Sequence, residues 1–204
     1  MYKRLIVLVF ALAIVCQAKA QELRTTSSAT PSFAIKTNLL YDATTSMNLG
    51  VEFKVSRKMT MEIAGTYNPW TFADNKKIKH ILVQPELRWW TCEPFSRHFF
   101  GLHAHYARFN VGGITLPKIG FNGVGDDNTK DFRYDGWLAG VGVSYGYQFY
   151  LGPRWSLETT LGVGYAYIDY DRFECPACGK HLDSNIRHYF GLTKAGISLI
   201  YLIK

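Results

Sequence analysis

From Phe33 to the end of the chain the side chains alternate between two characters, and this period of two repeats in eight segments. A β-strand points successive side chains to opposite faces, so such alternation marks strands with one apolar face. The segments are Phe33–Asp42, Met47–Val55, Met59–Tyr67, Lys79–Thr91, Phe99–Val111, Gly136–Tyr150, Trp155–Tyr170 and His188–Ile203. In the second, Met47, Leu49, Val51, Phe53 and Val55 oppose Asn48, Gly50, Glu52 and Lys54. Short connections (Ser56–Lys58, Cys92–His98, Leu151–Arg154) alternate with longer ones (Asn68–Ile78, Gly112–Asp135, Asp171–Arg187). Ala43–Ser46 is short but falls on the long-loop side. Tight turns at one end and polar loops at the other are the plan of an up-and-down barrel. An even strand number brings both chain ends to the turn side.

Which face is outside decides what kind of barrel this is. The sixth segment carries Trp137, Ala139, Val141, Val143, Tyr145, Tyr147 and Phe149 on one face, and Leu138, Gly140, Gly142, Ser144, Gly146 and Gln148 on the other. Glycine weakens a strand and gains nothing by facing water, but it fits the narrow interior of eight strands. The seventh segment agrees. Trp155, Leu157, Thr159, Leu161, Val163, Tyr165 and Tyr167 form a face without charge, opposite Ser156, Glu158, Thr160, Gly162, Gly164 and Ala166. Trp137 to Tyr147 and Trp155 to Tyr165 each span ten residues, about 25 Å of height in a tilted strand, which is the apolar band of a membrane barrel with its aromatic girdles. The expected fold is therefore all-β, a single eight-stranded antiparallel up-and-down transmembrane β-barrel. Its enclosed charges would be Glu52, Lys54, Glu62, Glu86, Arg88, His103, His105 and Glu158. Buried ions of both signs need partners, so these residues read as a salt-bridged plug and not as the lining of an open pore.

The chain's start fits export. Lys3 and Arg4 precede an unbroken apolar run, Leu5–Val15, and Ala18-Lys19-Ala20 is a small-x-small cleavage pattern. Eleven apolar residues are too few for a membrane-spanning helix but suit a secretory signal peptide. Residues 1–20 are thus expected to be a signal peptide, residues 21–32 a flexible Ser/Thr-rich leader, and residues 33–204 the barrel domain. Cys16 follows Val15, where lipid attachment requires a small residue, so it reads as an ordinary signal-peptide cysteine. Without residues 1–20 the chain has 184 residues, 20 basic and 16 acidic, a net charge of +4. That excess does not point to nucleic acid. High aromatic content (15%) with 18 glycines excludes a disordered chain. The expected location is the outer membrane of a Gram-negative bacterium with N- and C-termini periplasmic, and outer-membrane lipid is the implied partner.

Several segments carry a family likeness: Lys36-Thr37-Asn38-Leu39-Leu40-Tyr41-Asp42, Asn48-Leu49-Gly50-Val51-Glu52, Tyr67-Asn68-Pro69-Trp70, Gln84-Pro85-Glu86-Leu87-Arg88 and Gly191-Leu192-Thr193-Lys194-Ala195-Gly196-Ile197-Ser198-Leu199. With these the chain resembles, over nearly its whole mature length, an uncharacterised outer-membrane β-barrel family of Gram-negative gut bacteria, known as a domain of unknown function. Members are often encoded near fimbrial genes. The resemblance implies a surface or adhesion role with fimbrial or other surface proteins as partners, and it supplies no catalytic residues.

Four local patterns remain. Cys175-Pro176-Ala177-Cys178 with His181 and His188 offers four tetrahedral zinc ligands, but a single Cys-x-x-Cys in an exported loop also suits a local disulfide. Thiol redox catalysis is a third use, without a surrounding βαβ unit. The preferred assignment is a Cys175–Cys178 disulfide, with no metal and no cofactor. Cys92 sits at the opposite end. His103 and His105, with Glu86 or Glu158 across the lumen, offer an acid–base group, against their simpler place in the plug. Asp126, Asp127, Asn128 and Asp131 fit no calcium-loop spacing and read as a solvated loop. Barrel precursors usually end in an aromatic residue, whereas this chain ends Tyr201-Leu202-Ile203-Lys204. The expected function is non-enzymatic, a structural or interaction role linked to fimbriae or envelope integrity. The alternatives are a small enzyme modifying lipid or lipid A and a solute channel.

Overall fold

The structure, a computed structural model, describes residues 31–71, 76–113, 132–174 and 179–203. The signal peptide, most of the leader, Cys175, Cys178 and the acidic stretch Asp126–Asp131 lie outside the described residues. Eight antiparallel strands close into a barrel in sequence order: β1 Phe33–Asn38, β2 Met47–Lys54, β3 Met59–Asn68, β4 Lys77–Trp90, β5 Arg97–Gly112, β6 Arg133–Tyr150, β7 Trp155–Phe173 and β8 His181–Ile203. The ring closes where Phe33–Asn38 pairs with Ser198–Ile203.

The apolar faces point outward. Leu49, Leu102, Val141, Val143 and Leu161 are each about 60% exposed. The facing set Glu52, Glu62, Glu86, Arg88 and Glu158 is buried. The hydrophobic effect in water would favour the reverse, so this sheet is built for an apolar surround. At the turn end the lumen is sealed by Trp90, Phe95 and Phe99, whose rings lie 6.0 Å and 4.9 Å from Trp90, beside Ala34, Ile200 and Leu202. Phe95 and Arg97 adopt left-handed backbone (φ 62° and 61°) in this turn. That conformation is costly for bulky residues, and here it delivers the Phe95 ring to the plug.

Strand length climbs around the ring, from six residues in β1 to 23 in β8. The step falls where first meets last. Beside it the expected first strand departs from prediction: it ends at Asn38, and Leu39–Ala43 forms a helix, α1. The consecutive Leu39-Leu40 breaks the period of two, and Asn38 caps the helix, its side chain accepting from Leu40 N–H at 3.1 Å. The second departure is β8, which begins at His181, seven residues before the expected start. It continues the β7 ladder up to Phe173, so most of the expected Asp171–Arg187 loop is paired sheet.

Candidate functional site

The one dense concentration of chemistry among the described residues is inside the barrel. Strands β2, β3, β4 and β7 each project a glutamate inward, because Glu52, Glu62, Glu86 and Glu158 occupy the even, lumen-facing phase of their strands. Glu52 pairs with Glu62, and Glu62 with Glu86, in the ladder. Like charges set side by side would repel, and Arg88 resolves this. Its Nε donates to Glu86 at 2.7 Å, Nη1 to Glu52 at 2.9 Å and to Glu158 at 2.8 Å, and Nη2 to Glu158 at 3.1 Å and to Glu62. The guanidinium lies 4.3 Å from the centre of the Phe99 ring, so the apolar plug forms its floor.

Two further cations complete the cluster. Lys36 reaches Glu52, Glu158 (3.2 Å) and Glu62 (3.7 Å). Lys194 reaches Glu86 (2.7 Å) and Glu62 (3.5 Å). Hydroxyls of Thr60, Ser144 and Thr160 donate to Glu52, Glu86 and Glu158. Trp90 Nε1 donates to Thr60 at 2.8 Å, tying the cluster to the plug below. A cavity of about 20 Å³ beside Lys36, Glu62 and Lys194 has room for one water and for no larger solute.

Of the residues expected in the lumen, Lys54 is a correction. It shares the phase of Glu52 but stands at the end of β2, where its side chain is exposed and leaves the barrel. Sequence reasoning missed Lys36 and Lys194. Lys36 sits opposite Gly50 on the short β1, where the inward phase was visible between Ala34 and Asn38. Lys194 was hidden by a bulge. Gly162 pairs with Lys194 but Val163 pairs with Leu192, leaving Thr193 as an extra residue. Above the bulge the odd residues Tyr189 and Gly191 face inward, and below it the even residues Gly196, Ser198, Ile200 and Leu202 do.

His103 and His105 lie in the lumen above the cluster, with ring centres 5.8 Å apart. Glycines of β6 make their space: a Cβ on Gly140 or Gly142 would meet an imidazole Nε2 at 2.6 or 2.7 Å. His103 Nε2 is 3.0 Å from Thr193 Oγ1. No carboxylate orients either ring, and each Nδ1 is without a hydrogen-bond partner among the described residues. A general base needs such an orienter and a cavity for substrate, so the pair is incomplete as an acid–base group.

The four expected zinc ligands do not converge. His181 and His188 stand seven residues apart on β8, about 23 Å along a strand, far beyond one ion's reach. His188 belongs to the outward girdle, stacked on Tyr165 at 5.9 Å and edge-on to Tyr167 at 5.7 Å. His181 Nε2 lies 3.2 Å from both Asp171 Oδ1 and Ser184 Oγ. One ring nitrogen facing both groups is not the relay of a catalytic triad, which uses the two nitrogens separately. The Ser184 hydroxyl, with His181 second, instead holds the exposed Asp171 carboxyl below its ordinary range. Among the described residues no set of three His, Cys, Asp or Glu side chains is placed to hold a metal. Cys92 is exposed at the turn end with a free thiol.

The comparisons with known proteins bear on the whole chain. No match is found among curated proteins. The model of a family described as proteins of unknown function, DUF3575, matches residues 5–203. Covering almost every strand, cap and cluster residue described above, that match makes the chain a member of the DUF3575 family.

Proposed function

We propose that the protein is a non-enzymatic barrel of a Gram-negative outer membrane, anchored by its sheet and presenting the loop end as an interaction surface. The observation that carries this is the inversion of the sheet: aliphatic and aromatic side chains cover the outside, while an ion cluster fills the inside. Lipid tails are the surround that makes the outside stable. The secretory character of residues 1–20 supplies the route, and an even strand count leaves both ends on the periplasmic side. The cluster leaves no continuous aqueous path, which favours a structural or binding role over a solute channel. Fimbrial or other surface proteins, suggested by the family resemblance, are the partners proposed for the loop end, with a role in adhesion or envelope integrity. The test is fractionation of cells expressing the full chain. The protein is expected in the outer-membrane fraction, released by detergent and not by alkaline carbonate. Recovery as a dissolved periplasmic protein would overturn the proposal.

A second reading, an enzyme acting on lipid, rests on the His103–Thr193 contact alone. It requires altered lipid A in cells lacking the protein. An unchanged lipid mass spectrum would remove it.

A further inference from the structure

The two ends of the barrel differ in charge. At the loop end acids and bases are interleaved: Arg172 pairs with Asp183 at 2.9 Å, and Asp135 accepts from Asn110 at 2.7 Å. At the turn end, among the described residues, five exposed basic side chains (Lys54, Arg57, Lys58, Arg97 and Arg154) stand against one acid, Glu93. Every short turn contributes: Arg57 and Lys58 between β2 and β3, Arg97 where β5 begins, and Arg154 between β6 and β7. None of the five is in a salt bridge among the described residues.

These charges border an aromatic girdle at the same end. Arg154 Nη1 donates to the Tyr201 hydroxyl at 3.0 Å, and Tyr201 packs edge-on against Trp155 at 5.0 Å. Around the ring, His98 Nδ1 lies 2.7 Å from the Tyr145 hydroxyl, with its ring 4.6 Å from Tyr147. When the tyrosine donates, the neutral imidazole carries its proton on Nε2, the nitrogen left for another partner. Tyrosine and tryptophan rings mark the depth of lipid headgroups. Arginine and lysine one step beyond them meet the phosphate layer.

We propose that the turn end is a docking belt for anionic phospholipid headgroups, with Arg57, Lys58, Arg97 and Arg154 supplying the charge and His98 a further donor. This rests on the membrane reading above. A lipid surface is favoured over an acidic soluble partner because the basic groups encircle the barrel at girdle depth, and Arg154 is bonded directly to a girdle tyrosine.

The full mature chain is inserted into vesicles of phosphatidylcholine alone and of phosphatidylcholine mixed with phosphatidylglycerol. Insertion is checked by flotation. Lipids retained after mild detergent release are then counted by mass spectrometry. The expected result is insertion into both vesicles and, in the mixture at low salt, phosphatidylglycerol enriched roughly fivefold over its share. About 1 M salt should largely abolish the enrichment by screening. The combined variant Arg57→Gln, Lys58→Gln, Arg97→Gln, Arg154→Gln should lose it, while Lys77→Gln with Lys79→Gln at the loop end should keep it. Insertion without enrichment, or enrichment that survives high salt, overturns the headgroup belt and leaves the membrane reading standing. Failure to insert into either vesicle overturns both. The salt arm needs no variant, so the proposal stays testable if the combined variant does not fold.

Discussion

Arg88 carries five N–H donors and directs them at four glutamates, so the centre of the molecule depends on one side chain. Removing one partner of a buried ion pair typically costs about 3–5 kcal/mol, because the other charge is left uncompensated. Arg88→Leu would strand four carboxylates at once, and it is expected to abolish folding or lower stability by at least that amount. Glu62→Gln should be far milder, within about 1–2 kcal/mol. Four carboxylates face three cations, and that substitution brings the formal charges into balance. Urea midpoints of the barrel in lipid vesicles would separate the two, and similar losses for both would refute this view of the cluster. Gly142 makes the same point about space. Its Cβ would lie 2.6 Å from Val163 O and 2.7 Å from His103 Nε2. Gly142→Val should therefore fail to fold, and His103→Ala should not restore it, because the Val163 carbonyl is backbone and cannot yield. Heat-modifiable migration in gels would show this. That β6 presents small residues to a narrow lumen was legible in its sequence. That two imidazoles occupy the space was not, because one strand's pattern does not reveal what faces it across the lumen.

The strands themselves were readable wherever the period of two was unbroken, as in Met47–Lys54, where observed and expected bounds nearly coincide. Reading failed at the two places where a residue breaks phase. At Thr193 the bulge inverts β8, so no single alternation runs through the strand and Lys194 could not be assigned a side. Deleting Thr193 tests this directly. Restoring regular pairing would turn Tyr189 and Gly191 outward and His188 and Phe190 into the lumen, a one-residue slip that reverses every side chain above it. The deletion is expected to yield no folded barrel, whereas Thr193→Ser should fold normally. A deletion variant with wild-type urea resistance would contradict the bulge's role. At Asn38 the break is a helix cap that also ties the seam. Its Nδ2 donates to Ala195 O at 3.2 Å, and its Oδ1 accepts from Ile197 N–H at 3.2 Å. Asn38→Ala should cost about 1–2 kcal/mol, more than an exposed substitution, because both the cap and the tie to β8 are lost. Asn38→Asp keeps the acceptor and should recover part of the loss. The distant partners Ala195 and Ile197 explain why a local capping rule foresaw neither the seam nor its position.

At the scale of the whole barrel, every functional proposal depends on which surface meets lipid, and two adjacent tryptophans measure it. Trp89 and Trp90 are consecutive in β4 and therefore point to opposite faces. Trp89 is 47% exposed and stacks on Phe100 at 6.3 Å, in the outward band. Trp90 is fully buried in the plug beneath Arg88. Two single-tryptophan proteins, each with the other four tryptophans replaced by phenylalanine, would be inserted into vesicles containing brominated lipid tails. Bromine quenches indole fluorescence only on near contact. Strong quenching is expected for Trp89 and little for Trp90, although one peptide bond separates them. A chain lying on the membrane surface would bring both indoles to similar depths and give similar quenching. A soluble barrel with the opposite sidedness would protect Trp89 instead. Because Trp90 also donates to Thr60, which donates to Glu52, its replacement carries a second readout. Trp90→Phe keeps the apolar plug but leaves the Thr60 hydroxyl without its donor, so that protein should unfold at lower urea than the one retaining Trp90. The contrast in quenching would then fix the sides of the sheet, and the contrast in stability would report that the enclosed side is the one carrying the ion cluster.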